Sequence, residues 1–156
     1  MNDVEVFFNT IQSGNKEQVE DQLRSNPNLV SAKDTRGFTP LIFASYFDKE
    51  AIVKVLIEHN ASVDTKDASG NTALIGVAFK GNTTLASLLI KNGADINAKN
   101  SGGVTPLIFA SMYNQTKMIE LLMKHGVDKI IKDNEGKTAL DYADEKGFKI
   151  IARLLK

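Results

Sequence analysis

The chain has 156 residues, of which 42% are hydrophobic and 24% charged, so its length and composition fit one compact domain. Nineteen Lys and Arg residues balance nineteen Asp and Glu residues, which gives no general attraction to nucleic acid or to an anionic membrane. The absence of cysteine excludes disulfides and thiolate metal sites.

The start of the chain, Met1-Asn2-Asp3-Val4-Glu5, is acidic and lacks the basic and apolar regions of a signal peptide. No later stretch approaches the roughly 18 consecutive apolar residues of a membrane span. We therefore expect a cytoplasmic protein, or a periplasmic or secreted one if a signal peptide has been removed.

A fixed step of 33 residues relates four segments of the chain. The motif Thr39-Pro40-Leu41 recurs as Thr72-Ala73-Leu74, Thr105-Pro106-Leu107 and Thr138-Ala139-Leu140. The same step relates Gly37, Gly70, Gly103 and Gly136, and it relates Asp34, Asp67, Asn100 and Asp133. Residues 39–45 and 105–111 are the same heptapeptide, T-P-L-I-F-A-S. Several positions that recur at the same step in four segments predict a repeat protein.

Each copy predicts two helices followed by a turn. The Thr hydroxyl can cap the first helix, and Pro fits its first turn. The first helix has an apolar face at i, i+3 spacing: Leu41 and Ala44, then Leu107 and Ala110. The second helix has i, i+1, i+4, i+5 spacing: Ile52, Val53, Leu56, Ile57; Leu85, Ala86, Leu89, Ile90; Met118, Ile119, Leu122, Met123. Asn60, Gly93 and Gly126 stand where that helix should end in a left-handed residue.

The unit resembles the ankyrin repeat, which has the same period and a T-P-L-H-x-A marker. The resemblance implies an all-α solenoid of helix-turn-helix units with projecting β-turns or hairpins and polar end caps. We expect a single ankyrin-repeat domain over residues 1–156. Its parts are a degenerate N-terminal unit at 1–33, full repeats 1, 2 and 3 at 34–66, 67–99 and 100–132, and a C-terminal capping unit at 133–156.

Two departures from the family pattern stand out. Its His, which links neighbouring turns by hydrogen bonds, is replaced by Ile42, Ile75, Ile108 and Asp141, so apolar packing should take over in three repeats. Repeat 2 also has Gly76 where the other copies have an aromatic residue. Because Gly within a helix costs about 1 kcal/mol relative to Ala, we expect repeat 2 to be the softest or to need Gly76 for close helix packing.

Nothing in the sequence predicts an enzyme. His59 and His125 lie two periods apart, too far for one metal ion. Asp141, Asp144 and Glu145 share a helix face, but a solvated face of the capping unit explains them better than acid–base chemistry. No P-loop, dinucleotide-binding or nucleophile-elbow motif occurs. We predict no catalytic residue, no metal and no cofactor.

The resemblance also implies where a partner binds, since the family uses a concave face made by the projecting turns and the outer residues of each first helix. Carried over by position, the predicted partner-binding residues are Arg36, Phe38, Tyr46, Phe47, Asn71, Phe79, Lys80, Val104, Met112 and Tyr113, with Lys66 and Lys99. The aromatic and Met residues have the composition of an interface hot spot, unless some of them pack under the turns or between repeats.

The last position of every unit is a lysine: Lys33, Lys66, Lys99 and Lys132. This lysine row either contributes only solubility or makes one basic edge of the binding face. If it functions together with the aromatic row, the partner offers an apolar strip flanked by acidic groups.

We therefore expect a monomeric binding module that captures a folded protein or an extended peptide, with no nucleic-acid or membrane partner. The T-P-L-I form looks more like small bacterial ankyrin-repeat proteins, which regulate or inhibit a partner enzyme, than like the eukaryotic form that keeps the His. The alternative is an assembly or scaffold protein that self-associates through its C-terminal capping helix. There, Ile150 is either a lone exposed apolar residue or a contact with another chain.

Overall fold

Ten α-helices and one short 3₁₀ turn make up the computed structural model, which describes residues 1–156. The helices form consecutive pairs: α1 (Asp3–Ser13) with α2 (Lys16–Ser25), α3 (Pro40–Tyr46) with α4 (Glu50–Glu58), α5 (Ala73–Lys80) with α6 (Thr83–Lys91), α7 (Pro106–Met112) with α8 (Thr116–Lys124), and α9 (Ala139–Lys146) with α10 (Lys149–Leu155). The 3₁₀ turn is Pro27–Ser31. The chain contains no strand. The predicted all-α repeat architecture is confirmed.

The first helix of each period begins at its threonine, as the sequence predicts. The hydroxyl of Thr39 accepts a hydrogen bond from the backbone N–H of Ile42 at 3.2 Å, and Thr72, Thr105 and Thr138 do the same one period apart. In α9 the carboxylate of Asp141 also accepts from the backbone N–H of Thr138 at 2.9 Å, which completes a capping box.

Left-handed residues at fixed positions turn the chain between helices. Asn60, Gly93 and Gly126 end the second helices with φ of 68°, 92° and 78°, as predicted. A second periodic set separates the first helix of each pair from the second: Asp48, Gly81, Asn114 and Gly147.

The Asp or Asn that opens each period organises the projecting loop. Oδ1 of Asp34 accepts hydrogen bonds from the N–H groups of Arg36 and Phe38, both at 2.9 Å. Asp67, Asn100 and Asp133 repeat this pair of bonds. The side chain therefore holds the turn in one conformation.

Neighbouring loops are linked through their backbones. The bonds run from Ala68 N–H to Arg36 O, Ser101 N–H to Ser69 O and Asn134 N–H to Gly102 O, at 3.2, 3.1 and 2.9 Å. Ile42, Ile75 and Ile108 are buried beneath, as expected for packing in place of the family's His. Apolar packing and these backbone bonds together connect the loops.

The core is one continuous cluster of 35 buried apolar residues that extends from α1 to α10. The first helices stack in the order α3, α5, α7, α9, with their predicted apolar faces buried. In α10 the core takes Ile151, whereas Ile150 is 62% exposed. No helix has the length and apolar character needed to cross a bilayer.

Candidate functional site

A cavity of about 290 Å³ opens on the side of the stacked first helices, between α3, α5 and α7 and beside the loops of residues 34–38 and 67–71. Eight of its twelve lining residues are hydrophobic. We call this cavity the groove, and its lining residues are Phe38, Ile42, Tyr46, Asp67, Asn71, Thr72, Ala73, Ile75, Gly76, Phe79, Phe109 and Tyr113.

The floor of the groove is open because α5 has a glycine at residue 76. One period away on either side, the same position holds Phe43 and Phe109. A Cβ added at Gly76 would touch only Cδ2 of Tyr46, at 4.0 Å. Close helix packing therefore does not require this glycine, contrary to one of the two expectations from the sequence.

Two groups of aromatic rings border the opening. On the repeat 1 side, the lining residue Tyr46 contacts Phe47 with ring centroids 5.4 Å apart, and Phe47 contacts Phe43 at 4.7 Å. On the repeat 3 side, Phe79 lies 4.5 Å from Tyr113 and 6.0 Å from Phe109, both edge to face. These contacts hold the rings in place and add favourable energy beyond simple burial.

Charged residues at the rim are of two kinds. Arg36 bonds to Asp34 and lies 4.3 Å from the centroid of the Phe38 ring. Lys80 pairs with Asp48 at 3.0 Å and lies 4.9 Å from the Tyr46 ring. In contrast, no lysine of the row forms an ion pair: Lys33, Lys66, Lys99 and Lys132 are all exposed. The lysine row therefore presents exposed positive charges that form no ion pair.

The twelve predicted binding residues fall into three groups. Five of them line the groove: Phe38, Tyr46, Asn71, Phe79 and Tyr113. Three contact those lining residues from the rim, namely Arg36, Phe47 and Lys80. The other four do not line it: Val104 and Met112 are half-buried against the core, and Lys66 and Lys99 are exposed in the lysine row.

The sequence reasoning missed the floor and one end of the groove. The sequence presents Asp67 and Phe109 as parts of the repeat pattern and Gly76 as a departure that weakens α5, yet all three line the cavity. The available signal was the register itself, since the glycine replaces a phenylalanine that the two neighbouring repeats share.

The capping unit fills its equivalent position with an aromatic side chain. Tyr142, one period after Phe109, donates its hydroxyl to Oδ2 of Asp133, which is one period after Asn100. Burial alone would raise the pKa of Asp133, but the bonds from Tyr142 and from two backbone N–H groups, with the charge of Lys137, outweigh it and lower that pKa. The same hydrogen bond, burial and the charge of Asp133 raise the pKa of Tyr142.

The other titratable candidates have local roles. His59 and His125 follow the last residues of α4 and α8. The bonds that Asp141 accepts from Thr138 lower the pKa of that carboxyl, and Glu145 pairs with Lys137 at 3.1 Å. No group of three or more His, Cys, Asp or Glu side chains is arranged to hold a metal ion.

Comparison with known proteins relates the chain to one family. A family model described as ankyrin repeats (3 copies) matches residues 7–100 and 77–156, which together cover nearly the whole chain. The human DNA-binding protein RFXANK is 46% identical over 48 residues, which is 31% of this chain. That match spans only 18% of the human protein.

Proposed function

Because the chain belongs to the ankyrin-repeat family, whose repeats generally mediate protein–protein interaction, we propose that it captures a partner protein in the groove between α3, α5 and α7. The observation that carries the proposal is the open apolar cavity bordered by Tyr46, Phe79 and Tyr113. The proposed unit is one ankyrin-repeat domain with end units at 1–33 and 133–156. Regulation or inhibition of a partner enzyme would follow if the captured surface were that enzyme's own site.

The groove has the features of an interface hot spot. Tyr46 and Tyr113 are 38% and 48% exposed although both are large and partly apolar. Aromatic side chains held in place by neighbours lose little conformational entropy when a partner binds. Hot spots of this composition contribute most of the binding energy of an interface.

The loop edge suggests which charges the partner presents. No lysine of the row forms an ion pair within the chain, so acidic side chains on the bound protein would meet the row without breaking existing ion pairs. Such long-range attraction mainly accelerates association and orients the partner. We therefore propose an apolar binding segment with acidic flanks.

A capture experiment tests the proposal. The immobilised chain is used to isolate partners from the native cell lysate, and the affinity of each identified partner is then measured with purified components. We expect Tyr46→Ala with Tyr113→Ala to weaken binding about 30-fold or more, since two hot-spot truncations cost at least about 2 kcal/mol. Circular dichroism should show unchanged helix content.

The matched control changes two exposed apolar residues outside the groove, Ile130→Ala with Ile150→Ala, whose side chains are 73% and 62% exposed. This pair should leave the affinity within about twofold of the original chain. The groove assignment is wrong if the tyrosine variant keeps its partner, or if both double variants lose it equally.

Self-association through the capping helix receives less support. Of the two neighbouring isoleucines in α10, Ile151 is fully buried in the core of the chain itself, so only Ile150 is available to a second copy. A single exposed apolar side chain is common on monomeric proteins. We therefore propose a monomeric binding module.

A further inference from the structure

One position of the first helix distinguishes repeat 2 from repeats 1 and 3 and from the capping unit. Phe43, Phe109 and Tyr142 place an aromatic ring at this position, and Gly76 leaves it empty. The neighbouring helices α3 and α7 do not close the gap, because the cavity of about 290 Å³ lies there. The residues that line the cavity therefore surround the place that an aromatic ring occupies in repeats 1 and 3 and in the capping unit.

The capping unit shows how a ring at this position meets the loop of its own period. Tyr142 reaches Asp133, whose Oδ2 accepts the phenol hydrogen bond while its Oδ1 accepts two bonds from the backbone of its loop. One oxygen of the Asp133 carboxylate therefore holds the turn, and the other accepts the hydrogen bond from the phenol.

Asp67 is the residue equivalent to Asp133 in repeat 2, and it also lines the groove. Its Oδ1 accepts the two loop bonds, from Ser69 and Asn71 at 2.8 and 2.9 Å, but its Oδ2 accepts no hydrogen bond from the protein.

The three other opening residues use their second side-chain atom. Asp34 bonds to Arg36, Asn100 donates to Asn71, and Asp133 accepts from Tyr142. Repeat 2 thus has no ring at residue 76, and Oδ2 of Asp67 has no partner in the protein. Both residues line the same cavity.

We propose that the groove receives one tyrosine side chain of the partner protein, with its ring over Gly76 and its hydroxyl donating to Oδ2 of Asp67. This inference rests on the proposed function and specifies the residue that anchors the partner. A bond from a neutral phenol to a carboxylate is charge-assisted and stronger than a neutral pair. The cavity is at the lower end of the volumes that hold small molecules, so it suits one side chain.

The surroundings favour a tyrosine within a protein segment over a free phenol. The exposed lysine row has no ion pair of its own, so acidic residues that flank the tyrosine would find complementary charge. Phe79 and Tyr113 meet edge to face and offer an aromatic wall to an incoming ring.

The first test uses p-cresol and toluene, which are the side chains of tyrosine and phenylalanine without their backbone. Amide chemical shifts of the full chain are followed by NMR during titration with each compound. We expect p-cresol to shift amides within residues 67–79 and to bind about tenfold tighter than toluene, which is the effect of one hydrogen bond to a charged group. Equal binding of the two compounds, or no shift at these residues, would overturn the inference.

Two variants separate the ring from the hydroxyl. Gly76→Phe fills the cavity in the manner of repeats 1 and 3 and should abolish the binding of both compounds. Asp67→Asn keeps an Oδ1 for the loop, as Asn100 does in repeat 3, but replaces the charged acceptor by a neutral amide, so it should weaken p-cresol binding and leave toluene binding unchanged. The matched control, Thr84→Phe, puts the same ring on an exposed position of α6 and should change nothing. Undiminished p-cresol binding by either groove variant would contradict the assignment.

The second test identifies the source of the phenol. The peptide acetyl-Asp-Glu-Tyr-Glu-Asp-amide should bind at least tenfold tighter than p-cresol. Its binding should weaken as salt is added, because salt screens the attraction to the lysine row. A peptide that binds no tighter than p-cresol would assign the groove to a free phenolic compound and refute a tyrosine anchor. The proposed function is judged separately, by the partner affinity of the Tyr46→Ala and Tyr113→Ala double variant.

Discussion

The hydrogen bond between Tyr142 and Asp133 is one contribution of the capping unit to stability that can be measured directly. Tyr142 is 7% exposed and Asp133 is 8% exposed, so neither group exchanges this bond freely for water. The substitution Tyr142→Phe removes the hydroxyl and leaves the ring in the core. Asp133 then keeps its two backbone bonds but has lost one donor to its second oxygen.

The expected loss follows from the energetics of bonds to charged groups. Such bonds contribute about 1.5–3 kcal/mol, and the remaining bonds to Asp133 place this case at the lower end. We therefore expect the free energy of unfolding to fall by about 1.5 kcal/mol at pH 7. For a chain of this size, each kcal/mol lowers the Tm by roughly 2–4 °C, so the Tm should fall by about 3–6 °C.

The difference between the two proteins should depend on pH in a defined direction. The pKa of Asp133 is lowered in the folded state, so its contribution is present above the unfolded value near 3.8 and is lost as the pH falls through the folded value. The pKa of Tyr142 is raised, so its contribution is present below the unfolded value of 10.0 and is lost as the pH rises further. The stability difference should be largest between about pH 4 and pH 10.

Urea unfolding followed by circular dichroism measures this difference at each pH. The matched control is Tyr113→Phe, because that tyrosine is 48% exposed and its hydroxyl makes no hydrogen bond within the protein. The control should change stability by less than about 0.5 kcal/mol. A Tyr142→Phe protein as stable as the original at pH 7, or a difference that does not shrink in acid, would refute the reasoning.

Four further predictions use the same unfolding assay or a mass measurement. Gly76→Ala should stabilise the chain by about 0.5–1 kcal/mol, because the helix gains an alanine and the added Cβ meets only open space and one ring edge. Gly81→Ala in the same repeat should instead destabilise it by at least about 1 kcal/mol, because φ is +79° and the Cβ would push away the amide end of Gln115, which donates to Phe79 O; equal effects of the two changes would contradict this. Leu89→Ala should lower the free energy of unfolding by about 2–5 kcal/mol, since the side chain is fully buried. A decrease below about 1 kcal/mol would contradict this and would mean that neighbouring side chains fill the space that the leucine leaves. Light scattering should give a monomer mass for both the original chain and Ile150→Glu; a concentration-dependent dimer that Ile150→Glu abolishes would support the self-associating alternative.

Features that depend on a few neighbouring residues were predictable from the sequence. The threonine caps, the left-handed Gly93 and Gly126 and the alternation of short helices each follow from local backbone chemistry, repeated four times in register. The buried faces of the helices follow from spacing alone, because the partner surface is another copy of the same unit.

The groove was harder to predict because it depends on residues from three repeats. Gly76 has an ordinary local meaning, a weak point in a helix, and only the rings of Phe43 and Phe109 on either side reveal a hole. Met112 lies at a position expected to face the partner, yet it is half-buried against the core. Sequence spacing fixes where a side chain begins but leaves open which way a long flexible one turns.

The bond between Asp133 and Tyr142 was missed for a related reason. Each residue has a sufficient local explanation, the first as the acceptor that shapes a loop and the second as an aromatic core residue. Their contact joins two side chains nine positions apart whose reach across the unit is a property of the folded helix pair. Local pattern reasoning assigns each residue one role and so overlooks the second.

A repeat protein makes departures from its own pattern informative, because three other copies show what the fold requires. At residue 76 those copies carry an aromatic ring, the helix would be more stable with alanine or another good helix former, and the space around the position is open. Stability and packing therefore both favour a side chain that the chain does not have. When a local rule is broken without a structural gain, the expected reason is function, and here the broken rule creates the cavity beside the unpaired oxygen of Asp67. We infer that Gly76 leaves room in the groove for a side chain of the partner protein.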